Sequence, residues 1–226
     1  MSGAARAEKK HRGRPLGFDR HAALRRAMCL FWERGYEGAT FDELAAAMGI
    51  SPSSFQNSFG TKQQLYVEAV DLYLQEATRW FADVLAQNSN TREAFSKLIE
   101  VSAEELTCCD HPAGCMISLA GTHMAPECDH IRDMMVAHRA ASERAVKARL
   151  DAGVAAGDLP SDTDTATLAA FFSTVFRGMA VQSRDGATCE HLREIGELAM
   201  KAWPAPASRK RGRELTSPAR RRRFGA

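Results

Sequence analysis

The sequence has no apolar run that approaches the ~18 residues needed to cross a membrane. Its first 18 residues are basic and contain no apolar stretch, so no secretory signal is expected. Eight prolines and sixteen glycines are too few for a collagen-like chain or a linker. A hydrophobic content of 45% excludes a wholly disordered protein. These absences predict a cytoplasmic globular protein with one large domain or two small ones.

The net charge of +2 conceals basic ends and an acidic middle. Five Lys or Arg against one Glu give residues 1–18 a charge of +4, and eight against one give residues 208–226 a charge of +7. The residues between them therefore carry −9. Basic arms on an acidic body indicate a polyanionic partner such as double-stranded DNA, and the alternative is that the arms are merely solvated.

Helical spacing of apolar residues dominates the chain, and no strand-like alternation or internal repeat is visible. Asp19 is the predicted cap of the first helix. A long helix is expected from the cap Thr61 to Leu85, where it joins the two halves of the chain. The sequence therefore predicts an all-α fold of about nine helices.

The most informative segment, residues 40–59, predicts a helix, a turn at Gly49 and a second short helix. Thr40 and Glu43 fit a capping box, and Ser51 is the expected cap of the short helix. This arrangement is typical of a helix-turn-helix, whose second helix lies in the major groove of DNA. Ordinary packing of a helical hairpin is the alternative.

The exposed side chains of the short helix are suited to reading bases. They are predicted to be Ser53, Ser54, Gln56 and Asn57. Gln and Asn can pair bidentately with adenine, while Ser can bond a base or a phosphate. Lys62, in the first turn of the next helix, suits a phosphate. In the N-terminal arm, Arg12 and Arg14 are close enough to the first helix to reach a flanking minor groove.

Residues 17–66 resemble the DNA-binding domain of the TetR/AcrR transcriptional regulators. The positions that carry the resemblance are Thr40, Ala45, Gly49, Phe59 and Lys62, together with the arm Gly13-Arg14-Pro15. The chain departs from the family at Gln56 and Asn57, where many members have Tyr followed by His or Arg. The resemblance implies that Thr40 contacts a phosphate. We also expect Ser51, the cap of the short helix, to contact DNA.

The resemblance also implies a helix-turn-helix DNA-binding domain (19–66) and a helical ligand-binding and dimerisation domain (67–204). Composition adds a basic N-terminal arm (1–18) and a basic tail (205–226) whose Pro, Ser and Gly residues predict disorder. The expected function is that of a homodimeric repressor, released from a palindromic operator by a small-molecule or thiol-reactive inducer. No enzymatic activity, cofactor or metal is expected. The predicted dimer interface consists of Phe172, Phe176, Met179 and Ile195, although the apolar residues of 164–184 could all be intrachain core.

Four cysteines cluster within 21 residues: Cys108, Cys109, Cys115 and Cys128. Three interpretations stay open: a metal site, a thiol sensor centred on Cys115, or small buried hydrophobic residues. The candidates for the ligand pocket are Cys115, Met116, Leu119, Met134 and Phe172.

Sequence motifs for catalysis are absent: there is no phosphate loop, no Gly-x-Ser-x-Gly and no His-Glu-x-x-His. Two alternatives to a regulator are kept. One is a thiol-dependent peroxide-reducing enzyme that uses Cys115 and Cys128, and the other is a non-specific DNA-packing protein.

Overall fold

The computed structural model describes residues 17–87, 90–122 and 124–204. Within these ranges the regular elements are all helical, so the predicted fold class is confirmed. The ten α-helices, of which α7 is a single turn, are α1 Arg20–Gly38, α2 Phe41–Met48, α3 Pro52–Phe59, α4 Lys62–Glu76, α5 Arg79–Gln87, α6 Thr91–Leu106, α7 Met116–Leu119, α8 Asp129–Ala156, α9 Thr165–Arg184 and α10 Cys189–Ala199. Short 3₁₀ turns at Pro126–Cys128 and Met200–Ala202 complete the fold.

Side-chain caps fix the helix starts in the N-terminal part. The Asp19 carboxylate accepts from the Ala22 amide. Thr40 and Thr61 each form a complete capping box, with Glu43 and Gln64 respectively. These caps satisfy amides that have no partner inside a helix, so the predicted starts of α1, α2 and α4 are confirmed.

The long helix predicted between Thr61 and Leu85 is wrong. The chain leaves the helix after Glu76, and α5 begins at Arg79. Side chains stabilise this break: the Thr78 hydroxyl donates to the Leu74 carbonyl at 2.9 Å, and Trp80 Nε1 donates to the Ala77 carbonyl at 2.9 Å. Such local bonds compete with the helix ladder, and two shorter helices result.

A continuous apolar core joins the helix-turn-helix to the rest of the chain. Phe31 of α1 and Tyr66 of α4 pack edge to face at 4.9 Å, and the Tyr66 hydroxyl lies 3.9 Å from the sulfur of Met135 in α8. Burial raises the pKa of Tyr66 to about 12. The domain boundary predicted between residues 66 and 67 therefore falls inside α4, where packing is uninterrupted.

A second core fills the other end of the molecule, among α5, α6, α8, α9 and α10. Phe95 and Phe172, both fully buried, contact each other at 4.9 Å between ring centroids. Close to this core, α6 approaches α10 at Gly196, where a Cβ atom would lie only 1.9 Å from Cγ2 of Ile99.

In the described part of the chain no helix combines the length and apolarity needed to cross a membrane.

We expect Gly196→Ala to lower the free energy of unfolding by about 1–3 kcal/mol, because the added methyl group overlaps the Ile99 side chain. Chemical denaturation at a fixed protein concentration measures the loss. In a double-mutant cycle, the loss caused by Gly196→Ala should shrink when Ile99 is already Ala. Equal losses in both backgrounds would contradict the proposed overlap.

Candidate DNA-binding face and inner cavity

The turn between α2 and α3 depends on one glycine. Gly49 has φ 70° and ψ 33°, in the left-handed region, and its N–H donates to the carbonyls of Ala45 and Ala46. The amide of Ile50 also donates to the Ala45 carbonyl, at 3.1 Å. Since residues with a Cβ rarely adopt this conformation, glycine fixes the angle between the two helices.

Helix α3 is fixed from below by aromatic packing and from the side by Arg20. Phe55 is fully buried and contacts Phe41 of α2 at 4.4 Å between centroids. The Arg20 guanidinium lies 4.4 Å above the Phe59 ring, donates to the Ser58 carbonyl at 3.0 Å and pairs with Glu68 of α4 at 2.7 Å. One side chain of α1 therefore ties α3 to α4.

The outer side of α3 carries the side chains predicted to read bases. Ser53, Gln56 and Asn57 are exposed and lie on one side of the helix, at i, i+3 and i+4. We call these three residues the recognition face. Its amide and hydroxyl groups can both donate and accept hydrogen bonds, and α3 contains no charged residue.

The other two serines predicted to contact DNA, Ser51 and Ser54, form hydrogen bonds with each other at the start of α3. The Ser51 hydroxyl accepts from the Ser54 amide at 3.2 Å and lies within 3.0 Å of both the Ser53 and Ser54 hydroxyls. Ser51 is therefore the cap of α3. Its side chain is exposed, so contact with a phosphate stays a prediction.

Thr40 and Lys62 lie at the starts of α2 and α4. Hydrogen bonds from the Thr40 amide and hydroxyl lower the pKa of Glu43. Lys62 Nζ lies 4.7 Å above the ring of Tyr36, and partial burial lowers its pKa while the nearby carboxylate of Glu37 opposes this. Thr40 is exposed and Lys62 half-buried, and their phosphate contacts remain predictions. Arg12 and Arg14 lie outside the described residues, as does the tail from residue 205.

A cavity of about 150 Å³, which we call the inner cavity, lies behind the DNA-binding helices. Its wall combines residues of seven helices, α1 and α4 to α9, with the loop before α7. Trp32 of α1 is part of this wall, so the first helix of the DNA-binding unit contacts the cavity directly.

Cys115 is the predicted pocket residue that lines this cavity. Its sulfur accepts two hydrogen bonds, one from the Tyr73 hydroxyl at 3.2 Å and one from the Ser118 amide at 3.4 Å. Burial, followed by the effect of Cys115, holds the pKa of Tyr73 well above its ordinary value, so its hydroxyl keeps its proton. Both bonds fix the position of the sulfur in the cavity wall.

Two further polar side chains in the wall were not found by sequence reasoning. Arg139 of α8 donates to the carbonyls of Ile117 at 3.0 Å and Ala120 at 2.7 Å, and burial lowers its pKa. Trp32 is 4% exposed, and its Nε1 has no hydrogen-bond partner among the described residues. The helical pattern marks Trp32 only as one more apolar position of α1.

Four other predicted pocket residues do not line the inner cavity: Met116, Leu119, Met134 and Phe172. Met116 and Phe172 are buried in the two apolar cores. Their neighbours in sequence, Ile117 and Ser173, take their place in the wall. The shift by one residue moves each side chain about 100° around its helix, which sequence spacing alone could not resolve.

All six cysteines lie in the described ranges, and all are free thiols. Cys109 is exposed, whereas Cys108, Cys115 and Cys128 are half-buried. Among the residues that the structure describes, no three His, Cys, Asp or Glu side chains are placed to hold a metal ion.

The predicted dimer residues need correction. Phe172 and Met179 are 0% and 1% exposed within one chain, so neither side chain is free to contact a partner, and Phe176 and Ile195 are half-buried. Phe176 lines the inner cavity. The exposed large apolar residues of α9 and α10 are Phe171, Val181 and Leu198, and together with the exposed Gly178 we call them the apolar strip.

Comparison with known proteins gives matches along most of the chain. The family described as "Bacterial regulatory proteins, tetR family" matches residues 23–69, and "Tetracyclin repressor-like, C-terminal domain" matches residues 93–195. The HTH-type transcriptional repressor ComR of Escherichia coli (strain K12) is 32% identical over 197 residues, which is 87% of this chain and 94% of ComR. The repressor BdcR of the same organism is 26% identical over 84% of this chain and 91% of its own.

A solved structure is closer in sequence. The TetR family transcriptional regulator CifR, as a cysteine mutant in complex with a 26-base-pair double-strand operator DNA, is 41% identical and has a TM-score of 0.83. The match covers 85% of this chain and all of that chain. The similarity therefore extends through both the helix-turn-helix and the helices that surround the inner cavity.

We expect Gln56→Ala and Asn57→Ala each to weaken binding to a specific site by about 1–3 kcal/mol, the usual cost of a lost base contact. Lys62→Ala should weaken binding to every DNA alike, because a phosphate contact carries no sequence information. Titration of specific and scrambled duplexes with each variant measures both effects.

The control is Gln75→Ala, an exposed glutamine at the other end of α4, which should leave both affinities unchanged. If Gln56→Ala weakened binding to the specific and the scrambled duplex equally, Gln56 would not be a base-reading residue.

Proposed function

The chain belongs to the TetR family of DNA-binding transcriptional regulators, and we propose that it is a homodimeric repressor, released from a palindromic operator by an inducer in the inner cavity. We infer no enzymatic activity, and a location in the cytoplasm, where DNA is accessible. The observation that carries the proposal is that Trp32, on the first DNA-binding helix, lines the cavity.

For the DNA contacts, the recognition face would enter the major groove while the helix starts meet the backbone. Two observations support base reading. Gln56 and Asn57 are exposed, and Arg20 fixes the position of α3 through a hydrogen bond to the Ser58 carbonyl. Thr40, Ser51, Ser54 and Lys62 are proposed for the phosphates. Arg12 and Arg14 would insert into a flanking minor groove, a proposal that rests on the sequence of the arm.

For the dimer, the apolar strip is the surface that supports association. Leu198 is 64% exposed and Val181 45%, and they lie on adjacent helices. A two-fold axis through the strip would form a four-helix bundle from α9 and α10 of both chains. Two recognition faces could then reach half-sites one DNA turn apart, about 34–36 Å.

Cys115 supports a thiol-reactive inducer as one form of the signal. Cys115 lines the inner cavity, and hydrogen bonds from Tyr73 and Ser118 fix the position of its sulfur there. A group attached to Cys115 would also occupy the inner cavity.

The proposed mechanism is a shift between two dimer geometries, only one of which matches the spacing of the major grooves. An inducer that binds the second geometry better would lower operator affinity by a coupling of about 1–3 kcal/mol. The direct test is an electrophoretic-shift assay with the DNA upstream of the chain's own coding region. Absence of a sequence-specific complex would overturn the proposal in favour of non-specific DNA packing.

We expect Leu198→Glu to convert dimers into monomers, because it places a charge at the most exposed large apolar residue of the strip. Sedimentation at micromolar concentration measures the change, and operator binding should fall with it. Glu197→Gln, at the neighbouring exposed position, is the matched control and should remain dimeric. A wild-type protein that sediments as a monomer would contradict the two-fold mechanism.

We expect N-ethylmaleimide to release the operator by alkylating Cys115. The sulfur adds to one carbon of the maleimide double bond and a proton to the other, and the attached group then occupies the inner cavity as an inducer would. Cys115→Ser should retain the operator after treatment, whereas Cys109→Ser, which removes an exposed thiol, should respond like the wild type. Release that persists in Cys115→Ser would refute this role.

A further inference from the structure

Trp32 combines two unusual properties. It is one of three buried side chains with an unpartnered polar atom in the described ranges, and the one of these three that lines the inner cavity. Its ring is held between Tyr73, edge to face at 4.8 Å, and His111, stacked at 4.5 Å. Because buried N–H groups are almost always satisfied in folded proteins, an unpaired indole N–H beside a cavity points to a partner outside the chain.

The size and chemistry of the cavity restrict what that partner can be. A volume of about 150 Å³ is comparable to an engineered apolar cavity that binds benzene. Much of the wall is apolar, with Leu74, Phe81 and Val146 among its residues. Arg139 adds a guanidinium group that pairs with no described carboxylate within ion-pair distance. Such a wall suits a compact, ring-sized compound that bears an oxygen acceptor.

We propose that Trp32 is the specificity-determining residue of the inner cavity, and that its indole N–H donates to a carbonyl or ether oxygen of a small, largely apolar ligand. This inference rests on the proposed role of the cavity as the inducer site. It goes beyond that role because it names the ligand class and the atom that recognises it.

The same residue connects the ligand to the DNA-binding unit. The main-chain carbonyl of Trp32 accepts from the Arg184 guanidinium at the end of α9, which also bonds the Glu33 carbonyl at 2.9 Å. The indole nitrogen is fully enclosed, so an acceptor reaches it only when the indole or the imidazole of His111 moves. Ligand binding is therefore coupled to the position of α1 against α9.

Two isosteric probes test the proposal. Cyclohexanone carries a carbonyl oxygen, and methylenecyclohexane has nearly the same shape without an acceptor. In ¹H–¹⁵N spectra of the full chain, cyclohexanone should shift the Trp32 indole N–H signal downfield, as expected for a new hydrogen bond, and methylenecyclohexane should not. The signal of Trp80 serves as an internal control, because its Nε1 already donates to the Ala77 carbonyl.

Variants provide a second readout. Trp32→Phe should weaken binding of cyclohexanone by about fivefold more than that of methylenecyclohexane, the range expected for one hydrogen bond. Trp80→Phe, which also changes an aromatic residue of the wall, should affect both probes equally. The proposal is overturned if both probes shift the Trp32 signal alike, if Trp32→Phe weakens both equally, or if neither probe binds.

Failure of this inference can be distinguished from failure of the proposed function. Both probe measurements are made without DNA, whereas operator binding is measured without probes. A protein that binds cyclohexanone through Trp32 but binds no operator would contradict the repressor proposal alone.

Discussion

The two hydrogen bonds from Arg184 to the carbonyls of Trp32 and Glu33 join parts of the chain that are 151 and 152 residues apart. They meet α1 just before Gly35, where φ of 74° interrupts the helix. Carbonyls near such a break lose helix partners, and a guanidinium can satisfy two of them at once. The DNA-binding unit is thus held by the helix that also carries much of the apolar strip.

Features set by neighbours in sequence could be predicted, and features set by distant contacts could not. The caps Asp19, Thr40 and Ser51 each accept a hydrogen bond from the amide three residues later, so the local sequence pattern is enough to predict them. The break after Glu76 has no Gly or Pro to mark it. It depends on Thr78 and Trp80, whose roles only the fold reveals.

The assignment of the dimer residues shows a similar limit. Helix α9 is apolar on more than one side, so periodicity reveals that it is buried but not which side meets a partner. Sequence analysis predicted a partner contact for Phe172 and Met179, which pack within the chain, whereas the opposite, exposed side of the helix carries Val181. The inner cavity was harder still, because seven helices contribute to its wall and no local pattern predicts which residues will meet there.

The charge distribution completes the argument about DNA binding. The recognition face is neutral, so it can distinguish bases through hydrogen bonds but adds little to the salt-dependent affinity, which comes from neutralised phosphates. The body of the chain is acidic and repels DNA at longer range. On the proposed DNA contacts, affinity would then come from a few cations near α3, such as Lys62, and from the basic residues of the arms. This division lets the sequence of α3 change its target without a loss of general affinity, which fits the departure of Gln56 and Asn57 from the residues common in the family.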